Sequence, residues 1–275
     1  MNRLLTTALA LLATIGADRA RAADLDEIQE RGVLRVAVSP LSPFVVKGDD
    51  GSYTGFEIDS TSALAVRLGV EVEYVERPFC ELVDAIVDDE ADIIASGFSN
   101  TPARRRALDF SLPYHDTEYV VVVRRDVAKA AKTLRGLNRT RYSIGFQEGG
   151  VSADVARGDF AGSDLTPYSS FPEIVDALKA SDVDGAVMFS PYQELLKKEK
   201  NPKFVVPHDF PLTRTIEAFA MAKETPALRD ALNEWIIIQD LAGFWDDLEE
   251  MWFDPKTAEI GRRPRDRCPG AEPIG

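Results

Sequence analysis

The residues best equipped for chemistry lie between positions 92 and 114, in DIIASGFSNTPARRRALDFSLPY. A short apolar strand, Ile93 to Ala95, breaks at Ser96 and Gly97 into a polar loop, Phe98-Ser99-Asn100-Thr101-Pro102. Arg104, Arg105 and Arg106 follow directly. Ser99 or Thr101 is suited to cap a short helix, with Pro102 in its first turn. A helix start, free backbone N–H groups and a guanidinium in one place favour a carboxylate or a phosphate. The planar fork of an arginine can hold a carboxylate by two parallel bonds. Arg104, Arg105 and Arg106 are the candidates for that role.

This loop needs a frame. Val33 to Val38 alternates and is β-branched, which predicts a strand. A helix is expected from Gly55 to about Leu68, stopped by Gly69. A strand over 70–75, a helix over 81–88 and the strand ending at Ala95 complete an α/β lobe. Ligands in such lobes sit beyond the carboxyl ends of the strands. The loops at Ser39 to Phe44, at Phe79 and at Gly97 to Arg104 then face one cleft. The run YVVVVR at 119–124 predicts a crossing to a second lobe of the same pattern. That lobe has a strand over 142–146, a glycine-rich turn at Glu148-Gly149-Gly150-Val151-Ser152 and a strand over Gly185 to Phe189. The alternating stretch 215–221 predicts the return crossing. Helices over 226–239 and 240–252 then pack back on the first lobe. The expected division is residues 23–118 plus 222–253 for lobe 1, 125–214 for lobe 2, and an irregular tail at 254–275.

Residues 1–22 read as an export signal: Arg3, an apolar run from Leu4 to Ile15, and the small-x-small site Ala20-Arg21-Ala22. The apolar run is short of the roughly 20 residues that span a bilayer. Removing this segment takes away three arginines and one aspartate, and so moves the formal charge from −14 to −16. Such a charge argues against nucleic acid or an anionic membrane as partner. Cys80 and Cys268 are the two cysteines of the chain. In an oxidising compartment they are expected to form a disulfide tying the tail to lobe 1, the alternative being two unpaired thiols. Two distant cysteines and the isolated His115 and His208 give no metal signal, and no cofactor is expected. The chain is expected to be a monomer.

The ordered segments ERGVLRVAV, GFEIDSTSALAVRLGVEVEYVE, ADIIASGFSNTPARRRALDFSLPY, VDALKASDVDGAVM and DLAGFWDDLEEMWF resemble the family-3 extracellular solute-binding proteins of polar amino-acid uptake systems. The resemblance covers roughly residues 25–253. It implies a two-lobed α/β periplasmic binding protein fold of type II, with the ligand shut between lobes joined by two crossing strands. It also implies residue roles. Phe79 would stack on the ligand, and Gly97 to Ser99 would hold its backbone atoms. Arg104 would clamp its carboxylate, and the turn Gly149 to Ser152 would add hydrogen bonds.

Two departures from the family pattern bear on the ligand. Relatives usually carry an aspartate for the ligand ammonium where this chain has Phe189, which reads as pocket wall. Gly150-Val151 stands in place of the usual hydroxyl-bearing residue. Glu148 is the substitute candidate for a ligand cation, and without one a carboxylate lacking an amino group fits better, because an unpaired buried ammonium is costly. Ser39 and Ser42 imply a less crowded, less charged pocket on their side. Glu57 and Asp59 read as residues that cap and flank a helix. The resemblance implies a periplasmic, non-enzymatic receptor that closes on a small carboxylated solute and delivers it to the membrane permease of an ABC transporter. Alternatives are an enzyme resembling the cyclohexadienyl or arogenate dehydratases, which needs a general acid in the cleft, and a ligand-sensing accessory protein.

Overall fold

The computed structural model describes residues 23–190, 192, 203–207, 211–253 and 268. The expected signal segment, most of the helix expected over 192–199 and all of the tail but Cys268 lie outside the described residues. Among the described residues no helix is long and apolar enough to cross a membrane.

The chain builds two sheets with helices on their faces. The first contains β1 (Val33–Val38), β4 (Glu71–Glu76), β5 (Ile93–Ile94), β6 (Leu108–Phe110) and β13 (Ala220–Ala222), in the order β4-β1-β5-β13-β6. β1 pairs in parallel with β4 and β5, while β13 runs antiparallel between β5 and β6. The small ribbon β2 (Val46–Lys47) and β3 (Tyr53–Thr54) stands beside it. The second sheet holds β7 (His115–Arg124), β8 (Ser143–Gln147), β9 (Asp164–Tyr168), β10 (Gly185–Phe189), β11 (Phe204–Val205) and β12 (Thr213–Glu217). Here β8 lies parallel between β9 and β10, and β7 runs antiparallel to β10, β11 and β12.

Local chemistry explains the element ends. The helix α1 (Leu25–Arg31) starts at a capping box in which the Asp24 carboxylate accepts the Leu25 N–H and Glu27 reaches back to the Asp24 N–H. It ends at Gly32, whose φ of 74° suits a left-handed cap. The helix α2 (Phe56–Leu68) ends at Gly69 in the same way. Ser170 caps the helix Phe171–Ala180, with Pro172 in its first turn. Two helices at the chain's end, Pro226–Leu241 and Phe244–Phe253, are separated by Gly243 at φ 76°. Leu228, Leu232, Trp235, Ile236, Trp245 and Leu248 are their buried residues.

The connections between the sheets are short. The chain leaves the first sheet at Phe110 and enters the second at His115, so residues 119–124 lie inside the second sheet, paired with β10. It returns between Glu217 and Ala220. The Ser111 N–H donates to the Phe219 carbonyl at 2.9 Å and the Tyr114 N–H to the Glu217 carbonyl at 3.1 Å, which lashes the two connections together. A β-branched run serves a crossing strand and an interior strand equally well, which is why the sequence pattern alone put the outward crossing later.

Candidate ligand cleft

The carboxyl ends of β1, β4 and β5 point the same way, because the three strands are parallel. The loops that follow them meet the second sheet across a cleft. Its floor is the β7–β12 pair. Period-two alternation puts Thr117, Tyr119, Thr215 and Glu217 on one face. Thr117, Tyr119 and Glu217 are buried there, while Asp116, Arg214 and Ile216 on the other face are exposed.

Arg104 sits over this floor. Its guanidinium stacks on the Phe98 ring at 3.7 Å from the centroid and lies 5.5 Å from that of Phe79. Nη1 donates to the Ser99 carbonyl at 2.8 Å, and Nη2 reaches across the cleft to the Gly149 carbonyl at 3.1 Å. Burial depresses its pKa to about 10, against the opposing pull of Tyr119, Asp154 and Glu217. Ten of the described aspartates and glutamates form ion pairs with other arginines, and no ion pair is formed by Arg104 among the described residues. The expected helix start is instead a three-residue turn, Arg104–Arg106. Ser99 does not cap it, and the Thr101 hydroxyl accepts the Arg104 N–H at 3.3 Å. One short turn presents no set of free N–H groups, so the guanidinium is the anion-seeking group here.

Ser99 joins this cation to an acid. Its hydroxyl donates to Glu217 Oε1 at 3.0 Å, and the Thr215 hydroxyl donates to the same oxygen at 3.1 Å. Glu217 is 1% exposed and Thr117 is 4% exposed. Among the described residues, Glu217 Oε2 and Thr117 Oγ1 have no hydrogen-bond partner. Burial raises the Glu217 carboxyl to about 7, with His115 and the surrounding hydroxyls pulling the other way. Burial and the nearby Glu217 push the Tyr119 hydroxyl up as well.

A second buried acid fixes the loop. Glu57 lies in the first turn of α2, as its reading as a helix-flanking residue expects, and it is fully buried. One carboxylate oxygen accepts the Gly97 N–H at 2.8 Å, and the Tyr114 hydroxyl lies 2.9 and 3.1 Å from its two oxygens. Burial raises it to about 7 against these bonds. Asp59 is in the same turn but caps no backbone N–H: it accepts the Trp252 indole N–H at 2.8 Å, tying α2 to the helix Phe244–Phe253. Gly97 has φ 57°, and a Cβ there would lie 2.7 Å from the Phe44 ring. Phe44 corrects the expectation of an open pocket. Ser39 and Ser42 are small and buried, but Phe44 from the same loop fills the space. Its ring lies 5.9 Å from that of Phe189, 5.0 Å from Phe253 and 5.3 Å from His115.

The second lobe's residues divide. Phe189 packs on Phe44, Phe171 and Tyr119, an apolar wall. Gly149, at φ 75°, offers its carbonyl to Arg104 and presses on Cys80, where a Cβ would lie 2.7 Å from the Cys80 Cα. Gly150 caps the helix Val151–Asp159 without a side chain. The Ser152 hydroxyl accepts the Gln147 N–H at 3.0 Å and serves its own turn. Glu148 is held by Arg157 at 2.8 Å, so the carboxylate that faces the cleft floor is Glu217. Glu217 is not among the residues expected from the sequence, although the alternation of Thr213, Thr215 and Glu217 is a signal that puts the three on one face. Cys80 and Cys268 form a disulfide with Cα atoms 5.9 Å apart. Among the described residues no cluster of histidine, cysteine, aspartate or glutamate could hold a metal ion.

The model of the bacterial extracellular solute-binding proteins, family 3, matches residues 34–255. The cyclohexadienyl dehydratase of Pseudomonas aeruginosa is 27% identical over 261 residues, 92% of this chain and 95% of the relative. The L-cystine-binding protein TcyJ of Escherichia coli is 26% identical over 231 residues, 83% of this chain and 85% of the relative. Among solved structures, the ancestral amino acid-binding protein AncCDT-1, a precursor of cyclohexadienyl dehydratase, superposes with a TM-score of 0.77 at 32% identity, over 84% of this chain and 99% of that one. With its paired α/β sheets and a cleft floored by two crossing strands, the chain belongs to the bacterial extracellular solute-binding proteins, family 3.

Proposed function

We propose that this protein is the periplasmic receptor of an ABC uptake transporter, and that it binds a small carboxylate-bearing solute between its lobes. The observation that carries the ligand class is Arg104. A guanidinium that is largely desolvated, stacked on Phe98 and unpaired with any described carboxylate is electrostatically incomplete. A ligand carboxylate completes it and gains charge-assisted bonds in return. Phe79, Gly97 and Ser99 in lobe 1, with Gly149, Gly150 and Phe189 in lobe 2, form the surrounding contacts. Residues 1–22 serve export, with cleavage near Ala22. Closure is a hinge motion at 111–114 and 218–219, the short links between the sheets, and ligand contacts to both lobes favour the closed state. A membrane permease receives the loaded form. The relatives TcyJ and AncCDT-1, described as L-cystine-binding and amino acid-binding, support this class of solute.

The test is equilibrium dialysis of a radiolabelled panel of amino acids and organic acids, followed by recovery of the bound compound. Binding is expected for a carboxylate recovered chemically unchanged. Arg104→Lys is expected to weaken it by about 30-fold or more, since a point charge cannot reproduce the two-bond fork. Undiminished affinity in that variant overturns the assignment.

A further inference from the structure

His115 stands where the chain has just crossed from the first lobe to the second. It is the first residue of β7 and pairs in register with Glu217 on β12. Its side chain nevertheless lies among residues of the first lobe. The imidazole stacks on Phe253 with centroids 4.6 Å apart, and the rings of Phe44 and Phe56 flank it at 5.3 and 5.4 Å. Its Nδ1 is 2.8 Å from Oε1 of Glu249, on the helix Phe244–Phe253. That helix is tied to α2 by the bond from Trp252 to Asp59. The contact between His115 and Glu249 therefore joins the entry strand of lobe 2 to the body of lobe 1, across the link 111–114. Its surroundings make it sensitive to charge. The His115 side chain is 9% exposed and that of Glu249 is 46% exposed. Three carboxylates act on the imidazole from three elements: Glu249, Glu57 on α2 and Glu217 on β12. The neighbouring Tyr114 hydroxyl is bound to Glu57. Burial lifts Glu57 and Glu217 to about 7, whereas the bond to His115 holds the Glu249 carboxyl below its ordinary range. In mild acid Glu249 is therefore the ionised member of the three. A histidine changes its charge between about pH 5 and pH 8. When protonated, its Nδ1–H donates a charge-assisted bond to a carboxylate. When neutral, the same contact is a bond of about half that strength, or none, according to the tautomer.

We propose that His115 and Glu249 form a pH-operated latch across the hinge, which holds the lobes closed in mild acid and lets them open as the pH rises past neutrality. The proposal rests on the reading of 111–114 and 218–219 as the hinge. The latch is made in the same structure in which Arg104 of lobe 1 reaches the Gly149 carbonyl of lobe 2, so it belongs to the closed arrangement. Opening turns β7 about residues 111–114 and draws the imidazole away from a carboxylate that stays with lobe 1. While His115 is protonated the ion pair favours the closed state alone, and that preference is lost when the imidazole gives up its proton. A receptor built in this way grips its solute more firmly in acid and lets it go more readily in alkali.

The experiment is small-angle X-ray scattering of the purified exported protein from about pH 5 to pH 8, the range in which histidine titrates. Each profile is fitted as a ratio of closed to open molecules, and the histidine signals are followed by NMR in the same buffers. His115 and His208 are the two histidines of the chain, so His115→Gln assigns the His115 signal. The wild-type ratio of closed to open is expected to fall about fivefold across the range, as for one partly exposed ion pair, with the midpoint of the His115 signal. Glu249→Gln keeps an acceptor for the Nδ1–H but carries no charge, and at its half-exposed position it leaves the core intact. At every pH it is expected to show the ratio of the alkaline wild type, varying by less than about twofold. His115→Gln is expected to behave alike. A pH response that persists in Glu249→Gln, or that follows a midpoint other than that of His115, traces to Glu57 or Glu217 and overturns the latch. The panel of amino acids and organic acids separates this proposal from the hinge reading. A ratio that those compounds raise but pH leaves unmoved overturns the latch alone. One unchanging profile under pH and compounds alike overturns the hinge reading with it.

Discussion

At the scale of single residues, two buried glutamates give the protein a pH dependence of unusual sign for carboxylates. Glu57 is faced by the Gly97 N–H, Tyr114, Ser60 and His115. Glu217 is faced by Ser99, Thr215, Thr117, Tyr119, Arg104 and His115. Burial lifts both to about 7 in the folded state. Below about 4.5 the folded and unfolded chains both hold these protons. As pH rises from there to about 7 the unfolded chain releases them and the folded chain keeps them, so their contribution to stability declines through that window and levels off above it. The melting temperature of ligand-free wild type minus that of Glu217→Gln is expected to decrease from pH 5 to pH 7.5. A difference that grows with pH contradicts the buried, raised state of Glu217.

The elements show how much of this was legible in the chain. The pattern of Val33–Val38 and the span and glycine stop of α2 are local signals, and the structure has strands and helices there. Gly185 to Phe189 is a strand with the expected bounds. The candidate site has one strong local cue in the sequence, an arginine after a strand-ending polar loop. What was hidden depends on contacts distant in sequence. Glu57 precedes Gly97 by 40 residues and Glu217 follows Ser99 by 118, so no local window reveals either bond. Phe44 was readable as apolar, but its place in the cleft is set by a bridge between Leu41 and Val45 that turns the loop inward. That loop makes a prediction of its own. Phe44→Ala removes a ring packed on Phe56, His115, Phe189 and Phe253. It is expected to cost about 3–5 kcal/mol by urea denaturation, the range for large-to-small changes in a core. A loss under about 1 kcal/mol would mean that the ring is not core.

The two lobes are held together across the cleft as well as through the short links between the sheets. Cys80 belongs to the first lobe, at the turn that carries Phe79. Cys268 is bonded to it and also donates its N–H to the Ser169 hydroxyl of the second lobe at 3.0 Å. The bond closes a span of 188 residues. In the chain-entropy account a loop of that length restrains the unfolded chain by about 5 kcal/mol. Cys268→Ser is expected to lower the urea midpoint strongly and to quicken ligand release, because the tail then no longer links the lobes. Stopped-flow release rates equal to wild type would limit the disulfide to a role in stability.

The position of β13 sets an order of assembly. This three-residue strand lies between β5 and β6 in the first sheet, yet it comes more than 100 residues after either of them. Until Ala220 to Ala222 have been made, β5 and β6 have no strand between them, and the Pro226–Leu241 helix that packs on that lobe does not yet exist. The second sheet draws all its strands from one continuous stretch, His115 to Glu217. A chain emerging from its N-terminus therefore completes its second lobe while the first still waits, open along its middle, for the strand that follows Glu217.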